Sequence, residues 1–196
     1  MKTYKLKAVM ILAIAAMTFS CNKDDDDNNT IPVYTSESPL ENYLITTGFN
    51  QETDLITDGA NREYGFKFRP TVTGAITAIS VRIPDVNSEL TATIWDVATM
   101  TAIKTETFNV TSSGVAVNKT ITPLALMKDK EYAITINTGD YYRHYKTNNS
   151  SAAYPVSVGN IQITGAVYSD ILQDFPGNSA PDYFDGDVNF TFLRTI

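Results

Sequence analysis

From Tyr43 onward, apolar and polar residues alternate with a period of two. "EYGFKFRP" sets Tyr64, Phe66 and Phe68 against Gly65, Lys67 and Arg69. This alternation marks a half-buried strand with one wet face. "ITAISVRIP" places Ile79, Val81 and Ile83 opposite Ser80 and Arg82, and "LTATIWD" places Leu90, Ala92 and Ile94 opposite Thr91, Thr93 and Trp95. Further strands are expected in "IKTETFNV", "VAVNKTI", "EYAITIN", "YPVSVG", "IQITGAVY" and "VNFTFL". Turn signals divide them: "TVTG", "PDVNS", "TSSG", "KDK" and "NTGD". No long stretch carries the 3.6-residue spacing of an amphipathic helix. About nine or ten short strands with frequent turns predict an all-β fold, an antiparallel β-sandwich of jelly-roll type. The expected domain covers residues 41–196.

Upstream the pattern changes. Lys2, Lys5 and Lys7 precede thirteen uncharged, mostly apolar residues, Ala8 to Ser20. A run of that length is shorter than the ~20 residues a membrane-spanning helix needs. With a basic start, it reads as a secretory signal over residues 1–20. The chain's single cysteine, Cys21, follows directly. The junction resembles a bacterial lipobox, although Thr18 and Phe19 stand where a stricter one has Leu and a small residue. A lone thiol excludes an intramolecular disulfide, and a lipid thioether needs no partner cysteine. Two or three acyl chains at ~0.8 kcal/mol per buried methylene would anchor the protein permanently. Asp24, Asp25, Asp26 and Asp27 come next. Such a run extends a linker in any case. Placed just after the cysteine, it also resembles the surface-export signal of Bacteroides-type lipoproteins. That resemblance implies a lipid-anchored, cell-surface location on the outer membrane. Residues 21–40, rich in Asp, Asn, Ser, Thr and Pro, read as a flexible tether with little to bury.

Charge narrows the choice of partner. The formal net charge is −7, and loss of the three signal-peptide lysines takes it to −10. Phosphate backbones reward Lys and Arg, so nucleic acid is excluded as an expected partner.

The strand motifs carry a second resemblance. "EYGFKFRPTVTGAITAISVRI", "LTATIWD", "TETFNV", "PLALMKDKEYAITI", "GAVYSD" and "PDYFDGDVNFTF" occur in an order similar to the bacterial family called domain of unknown function 4082. The likeness spans about Glu63 to Phe192. One family feature is missing: a Thr-Gly-Thr-His-like turn before the tryptophan strand is "DVNSE" here. The resemblance implies a β-sandwich of the kind found beside surface and carbohydrate-active modules, with no assigned reaction.

Chemistry is sparse. His144 is the only histidine and no Gly-Xaa-Ser-Xaa-Gly elbow occurs. In "YYRHY" it reads as a surface-loop residue before it reads as a base. A glycoside hydrolase needs only two carboxylates about 5–10 Å apart, a distance a sequence does not carry. Asp182, Asp185 and Asp187 in "PDYFDGDVNF" fit either a structural calcium site or an acidic turn into the last strand. The expectation is a non-catalytic module.

The richest candidate surface is "NTGDYYRHYKTNN". There Tyr141, Tyr142 and Tyr145 stand among Asp140, Arg143 and His144. Aromatic rings stack on sugar CH faces and polar neighbours bond hydroxyls. The segment is expected in a loop at one end of the sandwich, holding an extracellular glycan. Period-two alternation would turn one or two of its tyrosines inward. Trp95, Tyr154 and Tyr168 either extend the patch or pack. The alternative is a structural or adhesion subunit that pairs its sheet edges with another surface protein.

Overall fold

A computed structural model describes residues 34–171 and 173–195. The signal sequence, Cys21 and Asp24 to Asp27 lie outside the described residues. In chain order the elements are α1 (Leu40–Thr47), β1 (Glu52–Pro70), β2 (Gly74–Arg82), β3 (Asn87–Asp96), β4 (Thr101–Val110) and β5 (Val117–Leu126). They continue with β6 (Tyr132–Tyr145), β7 (Val156–Val158), β8 (Ile161–Ser169), β9 (Asn178–Ser179), β10 (Tyr183–Asp185) and β11 (Asp187–Arg194). Among the described residues the strands form two antiparallel sheets. The larger runs β4-β3-β6-β1-β8-β7, with β10 added to β6 and β9 to β8, and the smaller runs β11-β2-β5. The fold is the expected all-β sandwich.

The alternation decides which side chains fill the space between the sheets. Phe66 and Phe68 of β1, Ile76, Ile79 and Val81 of β2, Leu90 and Ile94 of β3, Ile134 and Ile136 of β6, and Phe190 and Phe192 of β11 are all buried there. Phe68 and Phe190 meet across the sheets with ring centroids 4.6 Å apart.

Three features depart from the sequence reading. Residues 40–47 form a helix. Pro39 opens it, Glu41 sits favourably in its first turn, and Gly48 closes it with a bond to the Ile45 carbonyl. Tyr43 and Thr47, one turn apart, are its buried residues. Tyr43 plugs the sandwich against Phe184 at 5.5 Å, and its hydroxyl lies 2.6 Å from that of Tyr154. Eight residues are too few for a helical period to stand out.

The packed chain also begins before the expected boundary at residue 41. Glu37 exchanges two backbone hydrogen bonds with Phe192, each 2.8 Å, so it pairs with the edge of the smaller sheet. Its carboxylate accepts from the Asn160 backbone N–H at 2.7 Å. A polar composition hides this, because the gain comes from backbone and carboxylate bonds and not from apolar burial.

The third departure matters most for the site. "NTGD" is not a turn. β6 runs through it to Tyr145, and Glu52 to Thr57 of β1 pair with Tyr145 to Asp140 beside it. The ladder then resumes at Arg62 and Thr138, so Asp58 to Asn61 bulge out opposite Gly139. A Cβ on Gly139 would sit 2.9 Å from the Gly59 carbonyl carbon. The glycine that looks like a turn signal is there to let the bulge approach.

On the outer face of the larger sheet, Glu63 is 1% exposed and accepts from Thr135 Oγ1 at 2.5 Å and Asn137 Nδ2 at 2.9 Å. Trp95 Nε1 donates to the same Thr135 hydroxyl at 2.8 Å. Burial pushes the Glu63 carboxyl up, against the pull of these hydrogen bonds. A raised folded pKa means that the folded state keeps a proton the unfolded chain has already released. Stability therefore falls as pH rises from about 4.5 towards the folded value. Glu63→Gln is expected to flatten this part of the stability–pH curve, measured by urea unfolding. An unchanged slope would show that Glu63 does not carry it.

Candidate functional site

The ordinary strand period splits the expected aromatic cluster in two. Tyr141, Arg143 and Tyr145 turn to one face of β6, and Tyr142 and His144 to the other. Their neighbours fix the assignment.

His144 is 4% exposed and is a strand residue, not the expected surface-loop residue. Its Nε2 lies 2.6 Å from Asp187 Oδ1, and its Nδ1 3.1 Å from Thr53 Oγ1. Nε2–H donates to the carboxylate, and Nδ1 faces the Thr53 hydroxyl. Asp187 also accepts from Arg82 Nε at 2.6 Å, and the Arg82 guanidinium lies 4.5 Å over the Tyr142 ring. Arg82 and Asp187 belong to the smaller sheet, His144 and Tyr142 to the larger. This half of the segment braces the two sheets against each other.

The other half lines two adjoining concavities on the larger sheet. The first, of about 240 Å³, is walled by Arg62, Tyr64, Tyr141, Arg143, Tyr168, Asp170, Tyr183 and Asp185. The second, of about 420 Å³, is walled by Asp54, Arg143, Tyr145, Asn149, Asp182 and Tyr183. Arg143 and Tyr183 belong to both. Three strands bring the walls together. β10 pairs Tyr183 with Tyr145 and Asp185 with Arg143, β1 brings Arg62 and Tyr64, and β8 places Tyr168 beside Tyr64.

Arg143 is the ridge between the concavities. Nε and Nη2 donate to the two oxygens of Asp185 at 2.9 and 2.8 Å, and the guanidinium lies 4.2 Å over the Tyr183 ring. Hydrogen bonding to Asp185 raises the Arg143 pKa and fixes its charge. Burial pushes the Asp185 carboxyl up, and Arg143 opposes the rise. Tyr141 is 3% exposed, with its ring 4.1 Å from that of Tyr64. Burial raises its hydroxyl well above the ordinary phenol range. That ring face is covered by Tyr64. Tyr145 is more open, and its hydroxyl donates to Asp54 at 3.1 Å. Asp140 is half-buried on β6 beside the β1 bulge and lines neither concavity.

The acidic group does not gather. Gly186, at φ +82 with an ideal Cβ 2.8 Å from Tyr64 Cβ, turns the chain between β10 and β11. Asp185 goes to Arg143, Asp187 to Arg82 and His144, and Asp182 stays exposed at the second concavity. Two of the three carboxylates of the calcium reading are thus held by cationic or N–H groups. Among the described residues no three His, Cys, Asp or Glu side chains converge as metal ligands.

Of the residues considered as extensions, Tyr168 lines the first concavity. Tyr154 bonds Tyr43, and Trp95 packs against Phe175 at 6.1 Å over the sheet. The sequence reading missed Arg62, Tyr64, Tyr183, Asp170 and Asp54 as site residues. Tyr183 had a signal: it alternates with Asp185 in "DYFDGD", so both face one side of any strand formed there.

No family model matches the chain and no curated protein matches it, so the likeness to domain of unknown function 4082 rests on the motif order alone.

Proposed function

We propose that this chain is a lipid-anchored outer-membrane protein of the cell surface whose β-sandwich binds an extracellular glycan without catalysis. One observation carries the binding half. Five tyrosines, two arginines and several carboxylates line two adjoining concavities that share Arg143 and Tyr183. Aromatic edges and faces interleaved with hydrogen-bonding groups suit a polyhydroxylated ligand, and two neighbouring hollows suit successive sugar units. The buried pair of Arg143 with Asp185 preorganises the wall that the two concavities share. The test is a glycan array probed with the detergent-solubilised chain, followed by Tyr145→Ala, which should weaken whatever binds. A blank array would defeat this reading, and binding indifferent to Tyr145 would take the second concavity out of it.

The location half rests on the sequence of residues 1–27. Cys21→Ala is expected to abolish lipid labelling and membrane retention. Changing Asp24 to Asp27 into alanines is expected to spare labelling but reduce cleavage by protease added to whole cells. A Cys21→Ala protein that still labels with a palmitate analogue would refute the anchor.

A further inference from the structure

The first concavity has more donors than acceptors. Its walls present the guanidiniums of Arg62 and Arg143 and the hydroxyls of Tyr64, Tyr141, Tyr168 and Tyr183. Burial lifts the Tyr141 and Tyr183 hydroxyls above the usual phenol range, so both remain O–H groups. Of the two carboxylates in the wall, Asp185 is committed, with both oxygens accepting from Arg143. Asp170 is at the rim, its side chain 66% exposed, and meets Arg62 Nε at 3.5 Å. Exposed ion pairs of this kind hold weakly and are readily exchanged. Arg62 is steadied from inside the hollow, because its Nη1 donates to the Tyr64 hydroxyl at 3.3 Å.

A hollow with excess donors and a loosely held carboxylate at its mouth suits an acceptor-only group. We propose that the first concavity takes the anionic group, carboxylate or sulfate, of an acidic sugar residue, which replaces Asp170 on Arg62. This inference rests on the glycan-binding reading above. A guanidinium presents its N–H groups in a planar fork that matches a carboxylate or sulfate edge. The remaining lone pairs accept from the hydroxyls of Tyr168 and Tyr183, while those of Tyr64 and Tyr141 hydrogen-bond within the wall. The net charge of −7 means that the protein's overall field repels such a ligand. A preference for acid therefore has to come from the local donors of the hollow, which makes the test specific.

The experiment uses the detergent-solubilised full chain on an array of matched glycans: uronic acid oligomers with their methyl esters, sialylated glycans with their neutral parents, and sulfated with unsulfated galactose oligomers. Calorimetry then follows on the strongest pair. The acidic member should bind at least tenfold more tightly than its neutral twin. The uronic and sulfated arms identify which anion is preferred. Arg62→Gln should erase the difference between the acidic and neutral twins. Asp170→Asn, a change at the rim, should widen the difference several-fold in favour of the acidic member. Equal binding of acid and neutral twins overturns the inference and leaves the glycan reading standing, as does an acid preference unaffected by both variants. A blank array overturns both.

Discussion

Arg143→Ala is expected to cost about 3 kcal/mol of folding stability at neutral pH and to remove the ridge between the two concavities. The carboxylate of Asp185 is 5% exposed and accepts both of its short hydrogen bonds from this one guanidinium. Taking away one partner of a buried pair costs about 3–5 kcal/mol, because the other charge is left desolvated and alone. The low end applies here, since a third of the Arg143 side chain reaches water. The loss carries a pH signature. Burial already raises the Asp185 pKa from 3.8, and Arg143 is the main group lowering it, so the variant's carboxyl rises further. In its folded state that carboxyl holds a proton released by the unfolded chain. The variant's stability accordingly falls as pH climbs from about 3.8 to the raised folded value and then levels off. Its deficit against the parent is full above that value and shrinks below it. Urea unfolding of both proteins across this range checks the expectation. A deficit independent of pH would mean that lost packing over Tyr183, not an orphaned carboxylate, carries the cost. Arg143→Lys should recover only part of the stability, since an ammonium keeps the charge but not the two-pronged bond or the flat stack.

The alternation that made the fold legible also set the limit on reading the site. Phe66 and Phe68, Ile79 and Val81, and Leu90 and Ile94 face the core as their spacing requires, because one side of each strand is buried and a one-residue slip would expose the whole set. The same period runs through "YYRHY", but the turn signal "NTGD" interrupts the reading just before it. A glycine needed for close approach to the β1 bulge looks the same in sequence as a glycine needed for a turn. Once β6 is known to continue, Tyr141, Arg143 and Tyr145 separate from Tyr142 and His144 without further information. What the sequence could not carry was the register between distant strands. Asp185 meets Arg143, and Asp187 meets Arg82 and His144, because β10 lies on β6 and β11 on β2. Those pairings span 42 to 105 residues. The polar strand Glu52 to Thr57 was silent for another reason. It is exposed along most of its length, so it has little apolar rhythm, and its place comes from backbone bonds to β6.

Tyr141→Ala and Tyr145→Ala are expected to fail in opposite ways, although only three residues separate them on the same face of one strand. Tyr141 is 3% exposed. Its ring lies 4.1 Å from that of Tyr64, itself 2% exposed, and within 6.0 Å of the Arg143 guanidinium. Removing a buried aromatic ring of this size costs about 3–5 kcal/mol, from lost transfer free energy and from the cavity left behind. The cavity here would open under Arg143, so ligand binding should fall as well, as a consequence of a loosened wall. Cooling or a stabilising osmolyte should then restore part of the binding along with the fold. Tyr145 stands at the open end, where its contact is a hydrogen bond to the Asp54 carboxylate at 3.1 Å. Its removal should leave the unfolding midpoint nearly unchanged, as surface substitutions usually do. If its ring carries a sugar, binding should weaken roughly two- to tenfold, the range of one aromatic contact. Thermal melts and glycan titrations on the same two variants separate these cases. A Tyr141→Ala protein as stable as its parent would show that the ring is not part of the packed wall. A Tyr145→Ala protein with unchanged affinity would move the ligand off the second concavity and leave the first to hold it alone.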